Sequence, residues 1–146
     1  MTEHTGTSLH DLVTHTFATV EGKDLEAMMR VFADDAVVID PHFPTPRMQG
    51  KVAIREGFRG AMSDMHSFGY TIVNYCESEN GRCAAVETAT HHVLKQGMKR
   101  IFSQVFIFEV ANGHITRLQA YEPYGPHGIT GVFLFVARLT NRFLRK

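Results

Sequence analysis

The chain has 146 residues, 44% of them hydrophobic, and its 15 basic and 15 acidic side chains leave a formal net charge of zero with the histidines neutral. That length and composition give one domain with a single core and room for an internal pocket. Charge balance removes any general electrostatic case for nucleic acid, and no apolar run approaches the roughly 20 residues of a membrane span; Cys76 and Cys83, with nothing resembling a signal peptide before them, are expected to be reduced thiols in a cytoplasmic protein.

Residues 1–8 are polar and expected to fray. From Leu9 the apolar positions Leu9, Leu12, Val13, Phe17 and Val20 recur at three- and four-residue spacing, one face of an amphipathic helix with Ser8 as its cap and Thr16 on the same face. Gly22 stops it, and Asp24 starts a second helix with the stripe Leu25, Met28, Met29 and Phe32, which the sequence carries to Asp34-Asp35. Methionines at that spacing read as core.

A short strand, Val37-Val38-Ile39, follows and closes on Asp40-Pro41. A β-branched run calls for burial, so the next side chain is carried to the edge of a core. A carboxylate there loses water around its charged form and its pKa rises, which suits proton transfer near neutral pH. Asp before Pro is also an ordinary turn signal, so Asp40 has a plain structural reading beside the functional one. Pro41, Pro44 and Pro46 make a stiff loop holding His42 and Phe43, and Gly50 leads into a third helix with Ile54, Phe58, Ala61 and Met62 on its apolar face.

Four strands are predicted at Phe68 to Ser78, Arg82 to Lys95, Met98 to Val110 and His114 to Tyr124, separated by the turn signals Asn80-Gly81, Gln96-Gly97 and Asn112-Gly113. Helices first and strands after argue for α+β, with helices packed on one face of a curved antiparallel sheet. Two-residue turns at the first two corners would pair Asn74 with Glu87 and Phe106, Ile72 with Ala89 and Gln104, and Tyr70 with His91 and Phe102. One face then carries Tyr70, Asn74, Glu87, His91 and Gln104 among Phe102, Phe106 and Phe108. At the last corner a tight turn places Arg117 and Gln119 on that face, whereas a bulge at Gly113 places Leu118, Ala120 and Glu122 there; the bulge is preferred because it keeps Arg117 out of the interior. The opposite face, with Val73, Tyr75, Thr88, Thr90, His92, Val105 and Ile107, is too apolar for a wet surface and suggests a homodimer through the outside of the sheet. His91 and His92 point to opposite faces of a strand and cannot share an ion, so no metal site is expected.

Beyond Tyr124, glycines and a proline break the strand, and an apolar run grades into Leu139, Phe143 and Leu144 between Arg138, Arg142, Arg145 and Lys146. That reads as an amphipathic basic helix over residues 125–146, able to lid the pocket, swap onto a partner subunit or lie on an anionic membrane; packing on its own protein is favoured over membrane contact.

The run Gly22 to Met62, with Gly-Lys-Asp-Leu-Glu-Ala, Phe-Ala-Asp-Asp-Ala-Val-Val-Ile-Asp-Pro and Gln-Gly-Lys-Val-Ala-Ile-Arg-Glu-Gly-Phe, resembles the SnoaL-like and ketosteroid isomerase-like branch of the nuclear transport factor 2-like superfamily. The ending Asn112-Gly113-His114-Ile115 through Leu118-Gln119-Ala120-Tyr121 fits the same pattern, so the resemblance spans residues 9–124. It implies a cone of curved antiparallel sheet wrapped on three N-terminal helices around a pocket, commonly in a dimer. The same fold hosts isomerases, cyclases, hydrolases and binding modules. Ketosteroid isomerases use an Asp base with a Tyr and a protonated Asp at the oxyanion. By resemblance the base is Asp40, while Thr16 stands in place of the tyrosine and Phe106, near Gln104, in the region of the acid, which SnoaL-type cyclases also use. An epoxide-hydrolase-like set would need an interior arginine, and none is evident.

The expectation is a cofactor-free enzyme moving a proton on a small hydrophobic carbonyl compound such as a steroid or polyketide. Its reactive groups are Asp40, His42, Gln104 and Glu122, and its pocket is lined by Thr16, Phe17, Val20, Val38, Phe58, Met62, Tyr70, Glu87, His91, Phe102, Phe106, Leu118 and Ala120. His42 either shapes Asp40 and donates a proton or lies exposed in its loop, and Gln104 and Tyr70 are the other donor candidates. The competing expectation is a non-catalytic binder that uses the same pocket, with an assembly module whose pocket is filled by its own side chains behind it.

Overall fold

The structure, a computed structural model, describes residues 8–123 and 128–144. The expected fraying of the first residues and the segment expected to break the last strand after Tyr124 lie largely outside the described residues.

Local chemistry sets the helices. In α1 (Leu9–Glu21) the Ser8 hydroxyl accepts the Asp11 N–H at 3.0 Å, and Leu9, Val13, Phe17 and Val20 form the buried face. Gly22 closes the helix, and the Asp24 carboxylate caps α2 (Leu25–Val31) through the Ala27 N–H at 2.9 Å. The second helix ends earlier than its pattern suggests. Phe32 is already extended and opens β1 (Phe32–Ile39), so Asp34 and Asp35 belong to the strand and not to the helix. Phe32 is wholly buried and pairs with Ile115, which pins the start of the strand where helix propensity alone would have continued. The proline loop returns through a short β2 (Arg47–Gln49), followed by α3 (Gly50–Asp64) with Ile54, Phe58 and Met62 buried, and a three-residue β3 (Met65–Ser67). Neither short strand is legible in the sequence, since so few residues show no periodicity.

The long strands are β4 (Tyr70–Glu77), β5 (Cys83–Leu94), β6 (Lys99–Ala111) and β7 (His114–Tyr121). They form one sheet of order β2-β1-β7-β6-β5-β3, with β4 also on β5. It is the α+β cone the sequence implies, with one difference: β1 runs parallel to β7, so the sheet is mixed and not wholly antiparallel. Cys76 and Cys83 are free thiols on the β4–β5 hairpin.

Register departs from expectation at one corner, and the departure matters. Leu94 pairs across to Met98, its N–H donating to the Met98 carbonyl at 2.9 Å, so the corner is a three-residue loop ending in Gly97 at φ +83°. The extra residue slips β5 by one against β6: Thr88 faces Gln104, Thr90 faces Phe102, and Glu87 faces Val105. A one-residue slip exchanges the faces of a strand. Glu87 and His91, expected inside, therefore turn outward, and Thr88, Thr90 and His92, expected outside, turn inward. A bulge between Ile72 and Asn74 keeps Tyr70 inside while sending Asn74 outward to donate to the Glu87 carboxylate at 2.5 Å; Tyr75, expected outside, packs against the core. At the last corner Asn112-Gly113 is a tight two-residue turn, and the irregularity falls later, opposite Glu109 and Val110, where the Thr116 hydroxyl donates to the Glu109 carbonyl at 3.1 Å. Leu118 and Ala120 still face the core, and Arg117 stays outside on Glu109.

Residues Gly128–Leu144 form α4. Its large apolar side chains, among them Ile129, Val132 and Phe133, are exposed, so the favoured expectation that this segment packs on its own protein is not met within the described chain. An amphipathic pattern fixes which side of a helix is apolar, but not what covers it.

Candidate active site

The cone encloses a cavity of about 700 Å³ between α1, α3, the loop after β1 and the concave face of the sheet. Thr16, Phe17 and Val20 reach it from α1, Val38 from β1, Phe58 from α3, and Tyr70, Phe102, Phe106, Leu118 and Ala120 from the sheet. Met62, expected in this lining, packs within the hydrophobic core instead; on its turn of α3 it is Gly60, Ala61 and Asp64 that line the cavity. Aromatic rings set the shape: Phe17 stacks on Tyr70 at 4.8 Å between centroids and meets Phe106 edge-on at 5.3 Å.

Asp40, His42 and Gln104 line the cavity, and Glu122 closes behind them. Asp40 folds its own loop back: its Oδ1 accepts the His42 backbone N–H at 2.9 Å, and its backbone N–H donates to the Pro46 carbonyl at 2.9 Å. The turn reading of Asp40 is thus met, with the carboxylate at the cavity wall. The His42 Nδ1 lies 3.5 Å from Asp40 Oδ1 and contacts Glu122 Oε1 directly, so the imidazole stands between the two carboxylates. From Glu122 a hydrogen-bonded line runs inward. Gln104 Nε2 donates to Glu122 Oε1 at 3.1 Å, Gln104 Oε1 accepts from the Thr90 hydroxyl at 3.0 Å, and the Thr88 hydroxyl lies 2.9 Å from that of Thr90. Because the Thr90 proton is spent on Gln104, Thr88 donates to Thr90. The amide of Gln104 is thereby fixed, with nitrogen toward Glu122, and is committed to this line.

Burial raises the pKa of Asp40 above the ordinary aspartate value, against the lowering effect of the His42 N–H and of His42 itself. Burial likewise raises Glu122; His42 opposes the rise and the neighbouring Asp40 adds to it. The two carboxylates therefore titrate as a pair across the His42 ring.

His92, read from the sequence as outward, lines the cavity. Its Nδ1 accepts the Gly69 backbone N–H at 3.3 Å; a backbone N–H only donates, so the ring carries its hydrogen on Nε2. Burial, reinforced by His42 and His91, pushes its pKa down to about 4, which leaves the ring neutral at pH 7. Nε2 has no partner among the described residues. His42 and His92 flank Phe102, with centroids 5.3 and 5.9 Å from its ring, and Tyr70 meets His92 edge-on at 5.0 Å. Burial, then the charges of Asp40 and Glu21, hold the Tyr70 phenol well above its usual pKa, so it stays protonated. The signal that could have found His92 was the choice of loop at Gln96-Gly97, which the residues alone leave open.

Among the described residues, a group able to hold a metal ion is Asp40, His42 and Glu122, whose donor atoms lie within 4.8 Å of one another. The expectation of no metal site rested on the adjacent pair His91 and His92; this trio joins two ends of the domain that are far apart in sequence and is brought together only by the fold. Thr16, which stands where the resemblance to ketosteroid isomerases would place a tyrosine, lines the cavity and donates its hydroxyl to the Leu12 carbonyl at 2.7 Å.

The SnoaL-like domain family matches residues 13–118 of the chain. Among solved structures, a Δ5-3-ketosteroid isomerase from Mycobacterium sp. superposes with a TM-score of 0.71 at 21% identity, covering 77% of this chain and 91% of that one. A putative polyketide cyclase from Xanthomonas campestris pv. campestris gives 0.69 at 19% identity, covering 80% and 90%. A Mycobacterium tuberculosis protein in complex with estradiol-17β-hemisuccinate gives 0.69 at 21% identity, covering 75% and 89%. At these identities the likeness is one of fold. No curated protein matches the chain.

Proposed function

Because the chain belongs to the SnoaL-like domain family, whose structural neighbours include polyketide cyclases and ketosteroid isomerases, we propose that it is a cofactor-free proton-transfer enzyme acting on a small hydrophobic carbonyl compound. The observation that carries this reading is a carboxylate, Asp40, held by its own loop at the wall of an aromatic cavity with its pKa raised by burial.

The chemistry follows from that placement. Asp40 takes a proton from the carbon beside the carbonyl; the C–H bond breaks, an O–H bond forms on the carboxyl, and the electron pair passes to the carbonyl oxygen as an enolate. Burial favours the neutral acid that results, so the same carboxyl returns the proton at a second carbon and the catalyst is regenerated. The enolate needs a donor that stays protonated yet carries no charge. The residues that fill this role in ketosteroid isomerases are absent, since Thr16 is turned onto Leu12 and Phe106 is hydrocarbon. His92 offers Nε2–H from a neutral ring fixed by Gly69, and the Tyr70 phenol stands beside it. Gln104, the other donor the sequence suggests, is committed to Thr90 and Glu122. Its part is to hold Glu122 on His42, which in turn holds a positive edge beside Asp40.

The substrate class, a polycyclic ketone of steroid or polyketide type, suits a cavity of about 700 Å³ with few polar groups. The homodimer through the outer sheet face belongs to the same proposal, supported by exposed Val73 and Ile101 there. A second reading, a non-catalytic carrier, is favoured by Thr16 and Phe106. The test is exchange of α-hydrogens of a hydrophobic cyclic enone into deuterium oxide, followed by NMR. Exchange that disappears in Asp40→Asn supports the enzyme; tight binding of the enone with no exchange in wild type establishes the carrier.

A further inference from the structure

The helix α4 stands apart from the pocket in both composition and exposure. All 15 carboxylates of the chain precede residue 123, whereas four of its 15 cations, Arg138, Arg142, Arg145 and Lys146, follow it. Within the helix, Ile129, Val132, Phe133 and Val136 recur at three- and four-residue spacing and so share a face, joined by Leu139 one turn on. Arg138, two residues past Val136, lies on the opposite side. Those apolar side chains are not packed on the domain: Ile129 is 77% exposed, Phe133 70% and Val132 63%. An exposed stripe of this size on a soluble domain marks a contact surface.

We propose that α4 docks this protein in the plane of an anionic lipid bilayer, with the Ile129–Val132–Phe133–Val136 face in the acyl boundary and the C-terminal cations at the headgroups. Charge selects this occupant. Four cations with no carboxylate among them fit a uniformly anionic surface, whereas the same helix from a second copy would bring like charges together. Geometry selects the mode: no described helix is long and apolar enough to cross a membrane, and a helix with exposed apolar side chains, among them Leu134 and Phe135 beside Arg138, and with its cations gathered toward the C-terminal end lies along the interface. Aromatic and β-branched side chains on that face supply the burial, and long arginine stems let the charge reach the headgroups. A protein so docked would draw apolar ligands from the membrane into its cavity, but the docking stands on α4 alone and does not depend on the chemistry at Asp40.

The experiment is co-sedimentation of the full chain with phosphatidylcholine vesicles and with mixed phosphatidylcholine–phosphatidylglycerol vesicles, at low and at high salt. The expected result is pelleting with the anionic vesicles that falls with salt and weakens at least about tenfold in Arg138→Glu/Arg142→Glu. Phe133→Ser should weaken it on both vesicle types. Circular dichroism and retention of a hydrophobic dye check that each variant keeps its folded domain; Phe133 and Arg138 are not among the residues that line the cavity. No pelleting of wild type with anionic vesicles at low salt overturns the proposal, as does undiminished pelleting of the arginine double variant. An oligomer lost in Phe133→Ser, with no vesicle binding, would assign the face to a second copy and overturn it equally.

Discussion

Thr90→Val probes the line of hydrogen bonds that runs from the interior to Glu122. Valine has nearly the shape of threonine, so the substitution removes a hydroxyl and little else. That hydroxyl is fully buried, donates to Gln104 Oε1 at 3.0 Å and meets Thr88 Oγ1 at 2.9 Å. Its loss strands the Gln104 carbonyl and the Thr88 hydroxyl, both shut off from water. A buried polar group left without its partner costs about 1–3 kcal/mol, and the methyl that replaces the hydroxyl recovers a fraction, so the net loss is about 2–4 kcal/mol. For urea unfolding with a slope of about 2 kcal/mol/M, that moves the midpoint down by about 1–2 M. Thr90→Ser, which keeps the hydroxyl, should lose only about 1 kcal/mol, the value of a buried methyl group. Equal stability of the Thr90→Val and Thr90→Ser proteins would mean that the hydroxyl is not bonded as described, and the assignment of Gln104 as the anchor of Glu122 would fall with it.

Asp40→Asn should reduce α-hydrogen exchange by about 10²–10⁴ while leaving enone binding in place, measured by NMR and by fluorescence titration. The same substitution should raise stability at neutral pH. A carboxyl whose folded pKa lies above its unfolded value costs stability once the pH has risen through that folded pKa, and asparagine carries no such charge; equal chemical-denaturation curves at pH 7 would contradict the burial of Asp40. His92 titrates in the opposite sense. With its folded pKa pushed from 6.5 to about 4, the unfolded chain takes up the proton first, so stability falls as the pH drops from about 6.5 to about 4. About 2–4 kcal/mol is at stake, and His92→Gln should flatten that part of the stability profile; an unchanged profile would remove the neutral ring from the mechanism. If the proposed homodimer forms through the outer sheet face, Val105→Lys, which places a charge there, should convert it to a monomer in sedimentation; a monomeric wild type or an unchanged dimer would refute that interface.

Much of this molecule is written locally. Ser8 and Asp24 cap their helices through their own side chains, the apolar spacing of α1 and α3 names their buried faces, and Asn112-Gly113 makes its turn with both residues at positive φ. Asp40-Pro41 after a β-branched strand announces a carboxylate at a core edge, and burial at that edge raises its pKa. These features depend on neighbours within a few residues, which is why a single sequence shows them. The faces of β5 were another matter. Gln96-Gly97 is compatible with a two- or a three-residue loop, and the three-residue loop buries Val86, Thr88 and Thr90 in the interior. That one residue exchanged Glu87 and His91 for Thr88, Thr90 and His92 on the inward side of the strand, and brought His92 into the cavity. The trio Asp40, His42 and Glu122 is likewise a product of the parallel pairing of β1 with β7, a contact between the two ends of the domain. Sequence determined the helices, the turn chemistry and the position of the central carboxylate, because each is fixed by short-range sterics and hydrogen bonding. Tertiary structure alone decided which polar groups keep that carboxylate company, because a strand's inward side is settled by register, and register is a property of the whole sheet.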